Sequence, residues 1–374
     1  MFKDTIIKKI DVYFYEKKLN NIIQDARNEI KFRSCVIVKI VSNKNQVGWG
    51  EAASFANSGS LVVPIIKFFS KKLINQKIPD PRKFFFENYM NSLHFGRRGL
   101  VINALSGIDI ALWDLASKTR KIPLFKLLKL KNDKIKYYFN GGYFVKKKEY
   151  NFLKNSALFA LSKKAYGFKF KIGRNLKEDK KRIILVKKTL GNKIKIMVDA
   201  NGVLNFDYLL KIDKLLKKYS IEWIEEPFRF ENIAILKKNK KKIKTKIAGY
   251  ELEQTFDGWR EIINSKIVDI VQPDAIWSGG ISECLKIVNL CEAKKLQFVP
   301  HNFASIISLA ANAHLAAISK KNIIEIDSNE NPFLWQINKL DNYKLLNGLI
   351  QIPKDTFGLG VDININSISK YRVL

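Results

Sequence analysis

Cysteine, histidine, methionine and proline are scarce in this chain of 374 residues: three Cys, three His, three Met and nine Pro. Cys35, Cys284 and Cys291 are scattered, which excludes a disulfide framework and a paired-cysteine zinc site. Cys284 and Cys291 are seven residues apart and read as buried thiols on one helix face. No uninterrupted apolar run reaches the roughly 18 residues of a membrane span. The N-terminus, MFKDTIIKKIDVYFYEKKL, is broken by charges throughout and has no signal-peptide core. The expected compartment is therefore the cytoplasm, with no membrane partner. Acidic residues are few, 35 against 67 basic ones, for a net charge of +32. Such a surplus can serve phosphate contacts. Only eleven of the basic residues are arginine, however, and arginine is what bidentate phosphate and base contacts favour. The lysines are spread along the chain, and Ile and Asn are abundant too, as drift toward adenine- and thymine-rich codons produces. The densest run, Lys237–Lys246, reads as a helix end and its loop. The charge is read as a solvated surface able to steer an anionic substrate at low salt, and no nucleic-acid partner is expected.

From Gly167 to Glu325 the chain holds a ladder of polar residues, each closing or following a short apolar run. Lys169 and Lys171 end GFKFK, Asp199 ends IKIMVD, and Glu225 ends IEWIE. Glu251 ends TKIAGYE, Asp274 follows VDIVQP, His301 ends LQFVPH, and Glu325 lies in NIIEID. From Lys171 onward the rungs recur every 23–28 residues, close to the roughly 30 residues of a strand–helix–strand unit. IKYYFNGG supplies an eighth strand before them, and helical segments such as FDYLLKIDKLLKKY lie between. This alternation predicts an α/β fold, a (β/α)8-type barrel, with one polar residue at the carboxyl end of each parallel strand.

Residues 1–130 read as an N-terminal α+β capping domain. DVYFY, SCVIVKIVS and QVGWGEA are antiparallel strands, and the polar EKKLNNIIQDARNEIKF between the first two reads as a loop. Helices are expected over 61–75, 82–93 and LVINALSGIDIALWDLASKTR, whose apolar residues fall at helical spacing. The barrel should span 131–327, and residues 328–374 should pack back on the capping domain.

Residues two apart on a strand face the same side, so Lys169 and Lys171 face together, as Asp199 and Asn201 can. Glu225 and Glu226 should point oppositely, with only one at the barrel mouth. Asp199, Glu225 and Glu251, on three adjacent strands, make an all-oxygen set suited to a hard divalent cation, Mg²⁺ before Ca²⁺.

In order and spacing, GIDIALWDLASK, the Lys169–Lys171 pair, VDAN, EEP, AGYE, QPDAIWSGG, VPHNF and IEID resemble the enolase superfamily, mandelate racemase subgroup, over nearly the whole chain. The resemblance implies that Asp199, Glu225 and Glu251 bind Mg²⁺. It also implies that Lys171 and the His301–Asp274 dyad are bases on opposite faces of a carboxylate substrate. Glu325 would contact the substrate carboxylate and stabilise the enediolate, while Lys169 and Asn201 would hold that carboxylate and the metal shell. The family's usual even-numbered assemblies imply that this chain is a homo-oligomer, such as an octamer.

A base must be neutral, and Lys169 and the cation are expected to depress the pKa of Lys171. Asp274 should favour protonated His301. HFGRRG and QPDAIWSGGISEC look most like acid-sugar dehydratases, implying loss of the C2 proton and of water from an aldonate to give a 2-keto-3-deoxy acid. A racemase or epimerase of a 2-hydroxy acid is the alternative. A basic, non-catalytic nucleic-acid-binding protein that keeps the barrel is a third reading. His314 reads as packing, and Glu253 as solvated or lysine-paired. His94, Arg97 and Arg98 form either a structural turn or a substrate-capping loop, and Trp277 and Ser278 are candidate mouth residues.

Overall fold

The computed structural model describes residues 5–55, 57–130 and 132–374. The N-terminal sheet has antiparallel order β1 (Ile7–Gln24), β2 (Glu29–Ser42), β3 (Val47–Ala52). The polar stretch expected to be a loop is instead the far half of a long β1–β2 hairpin. Pairing is interrupted between Lys18 and Ile23 and resumes at Ile23–Ile30 and Gln24–Glu29. Its polarity hid it, because only Leu19, Ile23 and Ile30 are buried there, against Tyr143. Asp25 closes the tip by accepting hydrogen bonds from the amides of Arg27 and Asn28, a local side-chain turn.

Helices Gly59–Ser70 and Leu100–Thr119 cover this sheet, and Pro81–Asn91 packs against the second of them. The last is long and apolar enough to cross a membrane, yet its apolar window is 94% buried inside the molecule. It approaches β3 so closely that a Cβ on Gly50 would lie 2.0 Å from the Gly107 carbonyl oxygen. Only glycine permits that contact.

Eight parallel strands follow. They are β4 (Lys134–Gly141), β5 (Gly167–Lys171), β6 (Lys195–Asp199), β7 (Trp223–Glu225), β8 (Lys246–Gly249), β9 (Ile270–Val271), β10 (Gln297–Phe298) and β11 (Ile323–Asp327). They pair in the order β11-β4-β5-β6-β7-β8-β9-β10. Among the described residues no ladder joins β10 to β11. There Asn302 Nδ2 donates to the Glu325 carbonyl at 3.4 Å and Ser308 Oγ to Asn302 Oδ1 at 3.0 Å. Eight α-helices fill the seven gaps between these strands, while β11 is followed by the short helix Pro332–Trp335.

Strand parity sets the barrel interior. Tyr138, Met197, Trp223, Ile270, Val299 and Ile323 form an apolar layer with Ala248. Two residues further along the same faces come Asn140, Asp199, Glu225, Gln272, His301 and Glu325. Packing thus seals the lower barrel and lifts the polar row to its carboxyl end. The C-terminal segment pairs β12 (Leu349–Gln351) with β4 and returns to β1, where Val373 N donates to the Phe14 carbonyl.

Candidate active site

Parallel register places Lys171, Asp199, Glu225 and Ala248 side by side on four neighbouring strands. All the charged rungs are buried except Glu251, which is half-buried. Lys171 Nζ pairs with Asp199 Oδ2 at 2.5 Å, and Lys169 Nζ pairs with Glu225 Oε1 and, at 3.0 Å, with Glu325 Oε2. Tyr138 Oη donates to Glu325 Oε2 at 2.8 Å, and Gln272 Nε2 donates to Glu225 Oε2 at 2.9 Å. Asn201 adopts φ 45°, and its amide donates to Asp199 Oδ1 at 2.8 Å. Tyr138 and Gln272 were not singled out from the sequence. Their strand parity with Asn140 and Ile270 was the available signal.

Across the mouth, His301 Nδ1 lies 3.0 Å from Asp274 Oδ2. Asp274 Oδ1 accepts from Asn312 Nδ2 at 2.8 Å and from the Ile276 amide at 3.2 Å. Asp274 therefore both caps the helix Ala275–Ser278 and fixes the imidazole. Asn312 lies in an apolar helix and carries no sequence signal of its own. Burial pulls the His301 pKa down, but Glu325, the bond to Asp274 and the charge of Glu251 outweigh it and push it up to about 9.

Glu226 departs from strand parity. Its φ is +39°, which turns its side chain inward against Glu251, and it is buried. The expectation that only one of Glu225 and Glu226 reaches the mouth is corrected accordingly. Room for this turn comes from Gly249: a Cβ there would stand 2.9 Å from Glu226 Cγ, and its φ of +132° suits glycine alone. Burial, with the repulsion of Glu251 and Asp199, pushes Glu226 well above the usual carboxylate range. Burial likewise lifts Glu225 to about 7, although Lys169 opposes it.

Of the two influences expected to depress Lys171, the one from Lys169 is corrected. Burial lowers Lys171, but Asp199, Tyr143 and Glu225 together raise it well above its ordinary value. Lys169 is raised too, since Glu225, Glu325 and Asp199 outweigh its burial. The neighbour that decides the sign is the salt-bridged aspartate rather than the second lysine.

The donor set suits a cation. Glu251 Oε2 and Glu325 Oε1 are buried with no hydrogen-bond partner, as is Asn201 Oδ1. Asp199, Glu225 and Glu251 act on one another electrostatically. Buried carboxylates that repel one another, one of them with a donorless oxygen, fit a hard divalent cation. Among the described residues, no three Asp, Glu, His or Cys side chains are already disposed as ligands around one point. Lysine holds Asp199 and Glu225 instead, so loading requires those ion pairs to open.

Lys171, Asn201, Glu251, Asp274 and His301 share a cavity of about 450 Å³, walled by Tyr143, Arg33, Trp277 and Phe303. His94, Arg97 and Arg98 lie outside its lining. Arg98 is the partner of Glu253, at 2.8 Å, so Glu253 is neither solvated nor lysine-bound. Ser278 is buried between Trp259 and the Glu253 carbonyl. His314 is buried, and burial takes its pKa down to about 4.

Residues 9–129 match the family model described as mandelate racemase/muconate lactonizing enzyme, N-terminal domain, and residues 156–367 match that described as enolase C-terminal domain-like. The chain is 33% identical over 338 residues to an arabinonate dehydratase of Saccharolobus solfataricus, covering 90% of each. It is 28% identical to a D-galactarolactone cycloisomerase of Agrobacterium fabrum, covering 98% of this chain and 99% of that protein. Among solved structures, L-talarate/galactarate dehydratase from Salmonella typhimurium LT2 superposes with a TM-score of 0.89 at 25% identity, over 99% of this chain and 92% of that one. A mutant of that enzyme was solved with Mg and L-glucarate bound.

Proposed function

The chain belongs to the mandelate racemase/muconate lactonizing enzyme family of the enolase superfamily, and from that premise we propose that it is a Mg²⁺-dependent dehydratase of acid sugars. The observation that carries this reading is the shared cavity, in which an amine, a carboxylate-bound imidazole and the buried, donorless Glu251 oxygen face one small volume. The similarity to acid-sugar dehydratases supports the substrate class.

Asp199, Glu225 and Glu251 would hold Mg²⁺. When bound, the ion supplies positive charge against the dianionic enediolate that forms when a proton leaves beside a carboxylate. Lys169 positions the substrate carboxylate, and Tyr138 orients Glu325 beside it. Release of Lys171 from Asp199, with loss of its ammonium proton to solvent, leaves a neutral amine able to take the C2 proton. His301, kept protonated by Asp274, hands a proton from Nε2 to the departing C3 hydroxyl. Elimination of water then gives a 2-keto-3-deoxy acid. The same pair supports an isomerase, the reading that the cycloisomerase relatives favour.

Incubation of the purified protein with Mg²⁺ and a panel of acid sugars in deuterated buffer tests this. A dehydratase forms keto acid, and Lys171→Ala abolishes it. Exchange at C2 without keto acid favours the isomerase, and neither signal from any substrate refutes the proposal.

A further inference from the structure

The end of β3 crosses the domain boundary and touches both segments that carry the acid–base dyad. The Ala53 amide donates to the Ile276 carbonyl at 3.2 Å, just past Asp274. Glu51, buried in the same strand, reaches Ser305, which lies just past His301 and caps the helix Ile306–Ala316. Glu51 Oε2 accepts from Ser305 Oγ at 2.5 Å, from the Ser308 amide at 3.1 Å and from the Ser305 amide at 3.3 Å. Glu51 Oε1 meets the Cys35 thiol and the same Ser305 amide, each at 3.3 Å. Burial pushes this carboxyl up to about 7 against the pull of its donors. Burying such a group is costly, yet Glu51 lies outside the lining of the active-site cavity. It therefore touches no substrate, and no step of the reaction uses it.

The helix that Glu51 holds is bonded to both halves of the dyad. Asn312 Nδ2 donates to Asp274 Oδ1 at 2.8 Å, and Asn312 Oδ1 accepts from the Ala275 amide at 3.0 Å. Ser308 Oγ donates at 3.0 Å to Asn302, the neighbour of His301, and accepts from Asn312 Nδ2 at 3.3 Å. A displaced first turn would thus move Asp274 and His301 relative to one another.

We propose that Glu51 is a positioning residue for the reaction: through Ser305 and Ser308 it sets the helix Ile306–Ala316, and through that helix the 3.0 Å contact of Asp274 with His301. The capping domain thereby aligns the general acid from behind as well as closing the cavity. This rests on the dyad reading above and deepens it. The action is one of reach rather than charge. The main influences on the His301 imidazole are its burial, Glu325, Asp274 and Glu251, and Glu51 is not among them. Because the bond to Asp274 raises His301, loosening that contact lowers it.

The test is an NMR titration of His301 in the full chain with saturating Mg²⁺ and no substrate, alongside kinetics on the best acid sugar. With three histidines in the chain, selectively labelled imidazole signals are few enough to assign. Glu51→Asp keeps the charge and withdraws it by one methylene. Its His301 midpoint falls by about half a pH unit or more, and its kcat falls by about 10- to 100-fold. KM stays within about twofold, because the carboxylate and cation contacts are untouched. Glu51→Gln keeps the length, and its amide oxygen takes the donors of Oε2, so the midpoint stays with the wild type and kcat falls by about threefold at most. Ser308→Ala deletes the hydroxyl link to Asn302 while leaving its amide for Glu51, and lowers the midpoint in the same direction; it carries the test if Glu51→Asp does not fold. An unmoved midpoint in Glu51→Asp, or in Ser308→Ala where the first does not fold, overturns the proposal, even if urea unfolding shows a loss of stability. So does a midpoint that falls as far in Glu51→Gln as in Glu51→Asp, the mark of a charge effect. If the midpoints move as stated but no acid sugar gives keto acid, the dehydratase reading falls and the positioning role stands. Turnover with unmoved midpoints leaves the dehydratase reading in place and removes Glu51 from it.

Discussion

Asp274→Asn is the most informative change in the acid–base machinery. Asp274 accepts from three groups, with Oδ2 facing His301 and Oδ1 facing Asn312 and the Ile276 amide. An asparagine has one acceptor and one donor at those positions, so either His301 or Asn312 meets an amide N–H. The side-chain bond to Asp274 and its charge are two of the forces that lift His301 to about 9. Without them only the charges of Glu325 and Glu251 oppose burial, and the imidazole falls from about 9 toward its ordinary value near 6.5. At pH 7.5 a group of pKa about 9 is about 97% protonated, and one near 6.5 about 10%. The general acid is then mostly discharged, and we expect a loss of about 10²–10⁴-fold in kcat. The assay is keto-acid formation across pH 6–10. Wild-type kcat/KM should carry a basic limb near pH 9, and the residual activity of the variant should lose that limb to lower pH by more than one unit. An unshifted limb at unchanged rate would refute the dyad.

Gly249→Ala should weaken Mn²⁺ binding, measured by titration calorimetry, and cost about 1–3 kcal/mol in urea unfolding, because its Cβ meets Glu226 Cγ. Adding Mg²⁺ at 100 times its Kd to chelator-treated protein should stabilise it by about 2.7 kcal/mol, and Glu251→Ala should remove most of that gain. Asp109 is buried against Ser282, and burial raises it to about 7. A raised folded pKa contributes stability below the unfolded value near 4 that is lost as pH rises through about 7. Asp109→Asn should therefore cost more in urea unfolding at pH 5 than at pH 8, and a penalty that grows with pH would contradict this.

The barrel was legible because its signal is periodic: each apolar run ends in one polar rung, and parity carries that rung to the mouth. The hairpin was not, because Asn20 to Asn28 bury almost nothing and owe their conformation to pairing and to the Asp25 turn. Glu226 was misjudged because parity assumes extended backbone, while its left-handed φ depends on Gly249, 23 residues away. The sign of the Lys171 shift needed the partner: sequence order set Lys169 beside it, but the cross-strand register sets Asp199 against it. Glu51 and Ser305 lie 254 residues apart and carry no motif, so only the fold brings them together.

An anomalous-difference map from crystals grown with Mn²⁺ tests the central claim most directly. We expect one strong peak within about 2.0–2.3 Å of oxygens from Asp199, Glu225 and Glu251, with Lys171 withdrawn from Asp199. Separate peaks at separate carboxylates, or Lys171 and Lys169 still paired to them with no peak between, would contradict a shared cation at this barrel mouth.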